Sequence, residues 1–533
     1  MKKSCYFIAG LMCFFLHFGC SNLSRFPILK IQEIPVDIPE DSNKDVFLIK
    51  YNISNNYVPA ENTGYVENFQ RSVIDSSYSF NSEPVSSTKP SCDEIMTRDI
   101  DYLNFEVVKN QPMILKSLED YRSITVSDNK TEPTYRVDDK KNFYYLISDE
   151  KVVSAEFTCK YVGKNCYVWF YGNGNPVIPE SDFTDDRSFQ TLGEKFDSIS
   201  EIEQKYFGSH NQKYVYANLI DAKEKIDIIV TDLYNDAKEG QNSGILGLFV
   251  PCDTFINEKN DLPYKSNETL AIYLDSYFYL SVPNKTYSAL VHEYNHLLNW
   301  INKNLTKREN KDKNMESWFT EMLSLTAEDM FQEILGIEDK DSSKSRIPTH
   351  YYASFMGFKN WTSDEFGYTM NYANAYAFGA FLARNYGGAE IIKKIATNEY
   401  VNEEAVEKAT GKSFEELIKN FAISFLYPSN GDNPYAQDSK IFSLHKGDDE
   451  ANSDGIKISP INLTAYEKPQ IFYAQKILIS DKPENGNLEL QKKYAIPLDG
   501  AGFSIHYLGK NVTDFKLNTT DMSSNVKYFV YVQ

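Results

Sequence analysis

The stretch Val291-His292-Glu293-Tyr294-Asn295-His296-Leu297-Leu298 constrains this chain more than any other. It contains an H-E-x-x-H pattern. Residues i and i+4 lie one above the other on a helix, so His292 and His296 point the same way and their ring nitrogens can share one zinc ion. Glu293 is rotated off that edge, within reach of a water proton but not placed as a ligand. The setting reads as helical. Pro283 and Asn284 give a start signal, and Tyr287, Leu290, Val291, Tyr294, Leu297, Leu298 and Ile301 repeat at three- and four-residue spacing. The chain has only 7 histidines, so two in one short window with a glutamate between them stand apart from background. A plain buried helix with two core histidines is the competing reading, and it must also explain the acidic helix downstream.

A chain of 533 residues has room for two to four domains. The formal charge of -20 argues against a nucleic-acid partner, which would need a basic face. After the leader there is no apolar run long enough to span a membrane. The leader has Lys2 and Lys3 ahead of an apolar run over 6–18, and it ends at Leu16-His17-Phe18-Gly19-Cys20. It resembles a bacterial lipoprotein signal in which Cys20 becomes the lipidated first residue. His17 and Phe18 depart from the small residues usual there, and an ordinary secretory signal cleaved nearby is the alternative. Either leads outside the cytoplasm, to the cell surface or periplasm through a lipid anchor, or to secretion. Cys92, Cys159, Cys166 and Cys252 then remain, an even number suited to an oxidising setting. Cys159 and Cys166 flank a turn-like Gly163-Lys164-Asn165, which suits a bridged hairpin. The pairing itself is not legible.

The pattern divides as a signal at 1–20, a proline-bearing tether at 21–45, a β-rich domain at 46–175, a mixed region at 176–310, a helical region at 311–435 and a β domain at 436–533. Strands are expected at 47–51, 142–147, 166–171, 225–232, 247–250, 271–275, 471–474, 503–507 and 528–532. Helices are expected at 191–207, 315–331, 370–387, 389–396, 403–409 and 413–425. Asp221, Glu224, Asp227 and Asp232 raise calcium as an option, but their spacing is not that of a calcium loop, and a solvated acidic edge is preferred.

A catalytic zinc takes three protein ligands and keeps one position open. The longer pattern H-E-x-x-H-x-x-G-x-x-H fails, because Asn299 and Asn302 stand where Gly and His would be. A carboxylate on another helix is the remaining solution, and Glu316, Glu321 and Glu328 are available. Glu321 is preferred. It sits mid-helix among Trp318, Phe319, Met322 and Leu325, where a carboxylate is expensive unless it meets a cation. Glu316 belongs near the helix start. Glu328, farther along the same face, is placed to hydrogen-bond a histidine ligand.

These residues carry a family resemblance. His292-Glu293-Tyr294-Asn295-His296, followed by Trp318-Phe319-Thr320-Glu321-Met322-Leu323-Ser324-Leu325-Thr326-Ala327-Glu328-Asp329, resembles the hyicolysin-like zinc metallopeptidases of the gluzincin group. The likeness spans roughly residues 155–425. It implies an α+β, multidomain chain with a zincin-like core, an active-site helix and a helical lobe, flanked by β-rich ends. It also implies His292, His296 and Glu321 as zinc ligands, Glu293 as general base, one catalytic zinc, and metalloendopeptidase action on proteins or peptides. The family commonly has Asn-Glu-Gly where this chain has Thr320-Glu321-Met322, which bears on backbone approach at 322 and not on the ligand. Tyr372 or Tyr376 is a candidate second electrophile, although packing is the commoner role of a tyrosine in a chain with 38 of them. The rival function is a surface lipoprotein that binds host or matrix protein on an inactive scaffold. The intact Glu293 argues against it, because a binding module has no use for a general base.

Overall fold

The structure is a computed structural model. It describes residues 31–37, 44–67, 133–148, 151–172, 174, 175, 177, 186–216, 218–241, 244–260, 265–306, 314–361, 365–426, 442–461 and 496–532. Cys20, Cys92 and the strand expected at 471–474 lie outside these residues. Strands β1 (Ile31–Pro35), β2 (Asp45–Asn52) and β3 (Tyr65–Glu67) are followed by β4 (Lys140–Ser148), β5 (Lys151–Val162) and β6 (Cys166–Phe170). Helix α1 (Asp186–Phe207) leads to β7 (Ile226–Thr231), β8 (Gly247–Phe249) and β9 (Ala271–Asp275). Helices α2 (Ser276–Ser281), α3 (Pro283–Trp300), α4 (Ser317–Leu335), α5 (Ile347–Ala353), α6 (Glu365–Tyr386), α7 (Gly388–Thr397), α8 (Asn402–Thr410) and α9 (Phe414–Ser424) come next. Strands β10 (Phe503–Lys510), β11 (Asp514–Asn518) and β12 (Val526–Val532) close the described chain.

The central sheet has the order β4-β5-β6-β7-β9-β8. Every residue of β6, β7 and β9 is buried, and these three strands run parallel to one another. Their largely apolar runs, broken by Asp227 near the start of β7 and by polar residues at the strand ends, suit strands covered on both faces. Helix α1 crosses over between β6 and β7 and packs on β5 and β6, while α3 packs on β8 and β9. Strand β8 pairs antiparallel with β9 and ends the sheet.

Two findings correct the expected division of the chain. The β-rich stretch at 46–175 does not group as one unit, because β4 to β6 belong to the central sheet. The domain expected at 436–533 is not closed on itself either. Strand β2 is the middle strand of β10-β2-β12, and β11 is the middle strand of β1-β11-β3. These two antiparallel sheets share a core of Val46, Leu48, Val66, Leu508, Phe515 and Leu517, so residues from both ends of the chain build one β module. The bridged hairpin is a third correction. Cys159 lies opposite Trp169, while Cys166 sits at the turn end of β6, and both are free buried thiols, as is Cys252. Burial pushes the Cys159 and Cys252 thiols up to about 12.

Helix α4 is the centre of the helical lobe. Residues 317–332 are all buried, because α3 covers one side and α6 another. Close approach to α6 depends on Gly379, where a Cβ would lie 2.1 Å from Thr326 Oγ1 and 3.0 Å from Met322 Cγ. A buried charge network ties the two helices together. Arg384 donates to Asp329 at 2.7 and 3.2 Å and to the Ser459 carbonyl at 2.6 Å. The Tyr376 hydroxyl donates to Asp329 at 3.0 Å, and Lys344 stands 3.5 Å from it. Burial alone would raise the Asp329 carboxyl, but Arg384 and Lys344 outweigh it and hold the group below the usual carboxylate range.

Removing one partner of such a pair strands the other charge. Arg384→Leu is therefore expected to destabilise the chain by about 3–5 kcal/mol in urea unfolding at neutral pH. The sign with pH is fixed by the depressed folded value. The Asp329 contribution is complete above the unfolded carboxylate value of about 3.9 and is lost as pH falls through the folded one, so the deficit of the variant should narrow in acid.

Candidate metal centre

Helix α3 starts with Pro283 at its first turn and is buried without a break from Thr286 to Trp300. Its i, i+4 spacing brings His292 and His296 together, with their Nε2 atoms 2.9 Å apart. Helix α4 brings Glu321 against them. Its Oε2 lies 3.2 Å from His292 Nε2, and its Oε1 lies 3.5 Å from His296 Nε2. One ligand atom from each residue falls within 4.8 Å of the others, and among the described residues no other group of histidine, cysteine, aspartate or glutamate converges in this way. Glu316, by contrast, is the residue before the first turn of α4 and accepts from Trp318 Nε1 at 2.7 Å.

The donor chemistry fits a cation. His292 Nδ1 faces Glu328 Oε1 at 2.8 Å, so its proton belongs on Nδ1 and its Nε2 offers a lone pair. Glu328 is held in turn by Ser288 Oγ, which donates to Oε2 at 2.6 Å. Glu321 Oε2 is fully buried and makes no hydrogen bond. The field at this point calls for positive charge. Burial disfavours protonating His292, yet Glu321 and Glu328 outweigh burial and raise its pKa well above the usual imidazole value. His296 moves the other way, because burial and the neighbouring His292 prevail over Glu321. Burial would raise Glu321, but the two imidazoles hold it at about 2.

The partners of His296 are less decisive. Its Nδ1 stands 2.9 Å from Thr320 Oγ1 and 3.2 Å from Ser324 Oγ. A hydroxyl either accepts or donates, so these contacts by themselves leave the tautomer open. Neither residue stood out in the sequence, although a hydroxyl at 320 and at 324 brackets Glu321 on one helix face.

Glu293 is 3% exposed and leans over the edge strand. A Cβ on Gly247 of β8 would lie 2.8 Å from Glu293 Cγ and 3.2 Å from its Oε1, so only glycine leaves room for this carboxylate. Of the candidate electrophiles, Tyr376 donates to Asp329 and lies in the charge network. The Tyr372 hydroxyl is 3.3 Å from that of Tyr368, and its ring packs on Trp361. Both have packing roles. The acidic residues considered for calcium do not converge, and the expected solvated edge is corrected at two of them. Asp227 is buried and receives Lys141, Thr269 and Trp169, while buried Asp232 receives Asn175.

Metal analysis after exhaustive dialysis tests this centre. The purified chain is expected to retain one divalent ion, as is Glu293→Gln. His292→Ala, His296→Ala and Glu321→Ala should lose it, and Glu328→Ala should weaken binding by roughly 10–100-fold.

The chain is similar in sequence to known proteins. Residues 183–430 match the family model described as Peptidase M30. Over 283 residues the chain is 29% identical to the neutral metalloprotease ShpI of Staphylococcus hyicus, an alignment that covers 50% of this chain and 57% of that protein. The matched span thus covers little more than half the length of that relative.

Proposed function

We propose that this chain, whose residues 183–430 match the Peptidase M30 family model, is a zinc-dependent metallopeptidase of the hyicolysin type that hydrolyses peptide bonds in proteins. The observation that carries the reading is the convergence of His292, His296 and Glu321 on one point, with Glu293 next in sequence to the first ligand. A zinc ion held by these three residues would acidify a water and polarise a peptide carbonyl. The remaining work falls to the chain. Glu293 accepts a proton from the attacking water and returns it to the nitrogen of the leaving amine, so the C–N bond breaks without expelling an amide anion. The buried setting of Glu293 keeps bulk water from competing for that proton. Gly247 keeps the carboxylate close to the sheet edge, where an extended substrate chain has strand β8 to lie along.

We further propose action outside the cytoplasm, through Cys20 lipidation or secretion, on the strength of the leader composition.

Casein hydrolysis with and without a zinc chelator, beside Glu293→Gln, tests the reading. The chelated sample is expected to lose activity, and Glu293→Gln to lose roughly 10²–10⁴-fold in kcat. Equal turnover in all three samples would eliminate a peptidase. Gly247→Ala pushes the carboxylate away without touching a ligand. It should retain metal and lose kcat by about 10²-fold, the scale of a misplaced catalytic group.

A further inference from the structure

Behind the metal centre, on the side of α3 away from β8, lies a carboxyl that the proposed reaction does not use. Glu203, near the end of α1, is fully buried, and its Oε2 has no hydrogen-bond partner. Burial raises its pKa well above the usual carboxylate range, with Asn295 and His292 only partly offsetting it. A lone acid in a helix–helix contact is costly, and each such group needs a reason.

The hydrogen bonds that leave this residue supply one. Glu203 Oε1 accepts from Asn295 Nδ2 at 3.4 Å. That contact turns Asn295 Oδ1 the other way, where it accepts from Asn299 Nδ2 at 2.7 Å and from Ser324 Oγ at 3.2 Å. With its proton committed to Asn295, Ser324 can only accept from His296 Nδ1, 3.2 Å away. An Nδ1–H on His296 leaves its Nε2 as a lone pair facing Glu321 and His292. The relay therefore biases the tautomer that the two hydroxyls by themselves leave open, and Thr320, 2.9 Å from the same Nδ1, is able to accept alongside Ser324.

We propose that Glu203 is a positioning residue for the metal centre, acting through Asn295 and Ser324 to fix His296 in the tautomer that binds metal. The inference rests on the metal reading of the site. It concerns a residue that touches no ligand and lies a whole helix away from the H-E-x-x-H motif. A leucine at 203 would fill the space but give Asn295 nothing to donate to. Asn295 would then be free to turn its amide toward Ser324 together with Asn299, whose own Oδ1 has no hydrogen-bond partner, and Ser324 would donate to His296 Nδ1 and place the proton on Nε2. A glutamine at 203 keeps an acceptor oxygen at the same reach.

The test is zinc affinity, by competition with a chromophoric chelator, for the full chain and for Glu203→Leu, Glu203→Gln, Ser324→Ala and the Glu203→Leu/Ser324→Ala double variant. Glu203→Leu is expected to weaken zinc binding by roughly 10-fold or more, the usual scale for a group behind a ligand, with Glu203→Gln close to the parent. Because both changes cut one relay, the double variant should bind no worse than the weaker single one. Thermal unfolding of the metal-free proteins checks that each variant folds. If Glu203→Leu fails to fold, Ser324→Ala carries the test from the other end. Zinc affinity within twofold of the parent in Glu203→Leu, or equal losses in the leucine and glutamine variants, or losses that add in the double variant, would overturn the relay. A parent chain that takes up no zinc would instead overturn the metal reading, and the relay with it.

Discussion

Two imidazoles and a carboxylate, all of them buried, bring one ligand atom each to within 4.8 Å of the others, and lone pairs turned on one point call for a proton or a cation among them. The rest of the structure depends on that constraint. Water cannot screen these groups, so the balance between burial and charge is settled locally, by whatever is placed at the point of convergence. The shifts follow. Glu321 stays ionised despite complete burial, and His292 is biased toward a positive form by two carboxylates. A cluster of this kind is a poor way to stabilise a core and an effective way to hold a cation.

Such a cluster needs both helices fixed in register, and the lobe is organised to do so. Helix α4 is enclosed along its length, with Gly379 letting α6 approach closely and Asp329 locked by Arg384. Asp329 follows Glu328 directly, so the ion pair anchors the turn that also steadies His292. The methionine at 322 is compatible with this arrangement because its side chain is met by Gly379 on α6. The segment over 442–461 contributes as well, although it lies beyond the residues that match the family model. Ser459 accepts from Arg384, and Asp454 takes an ion pair from Lys205 at the end of α1.

What could be read from the sequence follows the range of each signal. The histidine helix was legible because i, i+4 spacing is local, and Glu321 because a carboxylate in an apolar run asks for a partner. The core strands were legible as strands, but an apolar run names no neighbour. Pairing β2 with β10 and β12 joins residues more than four hundred positions apart, and no local pattern carries that information. Nothing in the sequence marks Asn295 or Asn299 as a link between helices. Both are buried, Asn299 bonded to Asn295 and Asn295 to Glu203, a residue that periodicity places only as one more charge on another helix. Cys159 and Cys166 suggested a bridge because they flank a turn, whereas strand register sets them at different levels of the hairpin.

The two histidines are supported unequally, and this asymmetry comes from a single helix face. Residues 320, 321, 324 and 328 of α4 supply, in turn, a partner of His296, the shared carboxylate, a second partner of His296 and the partner of His292. A slip of α4 by one turn would lose all four contacts together, so the site and the helix packing are one specification. On the His292 side the partner is a carboxylate, which accepts only, so polarity is set by residue type alone. On the His296 side the partners are hydroxyls, whose direction is undetermined until something beyond them fixes it. A ligand backed by hydroxyls therefore needs a longer chain of hydrogen bonds than one backed by a carboxylate, and that chain must end on a group that accepts. In this fold it reaches through α3 to a glutamate on α1.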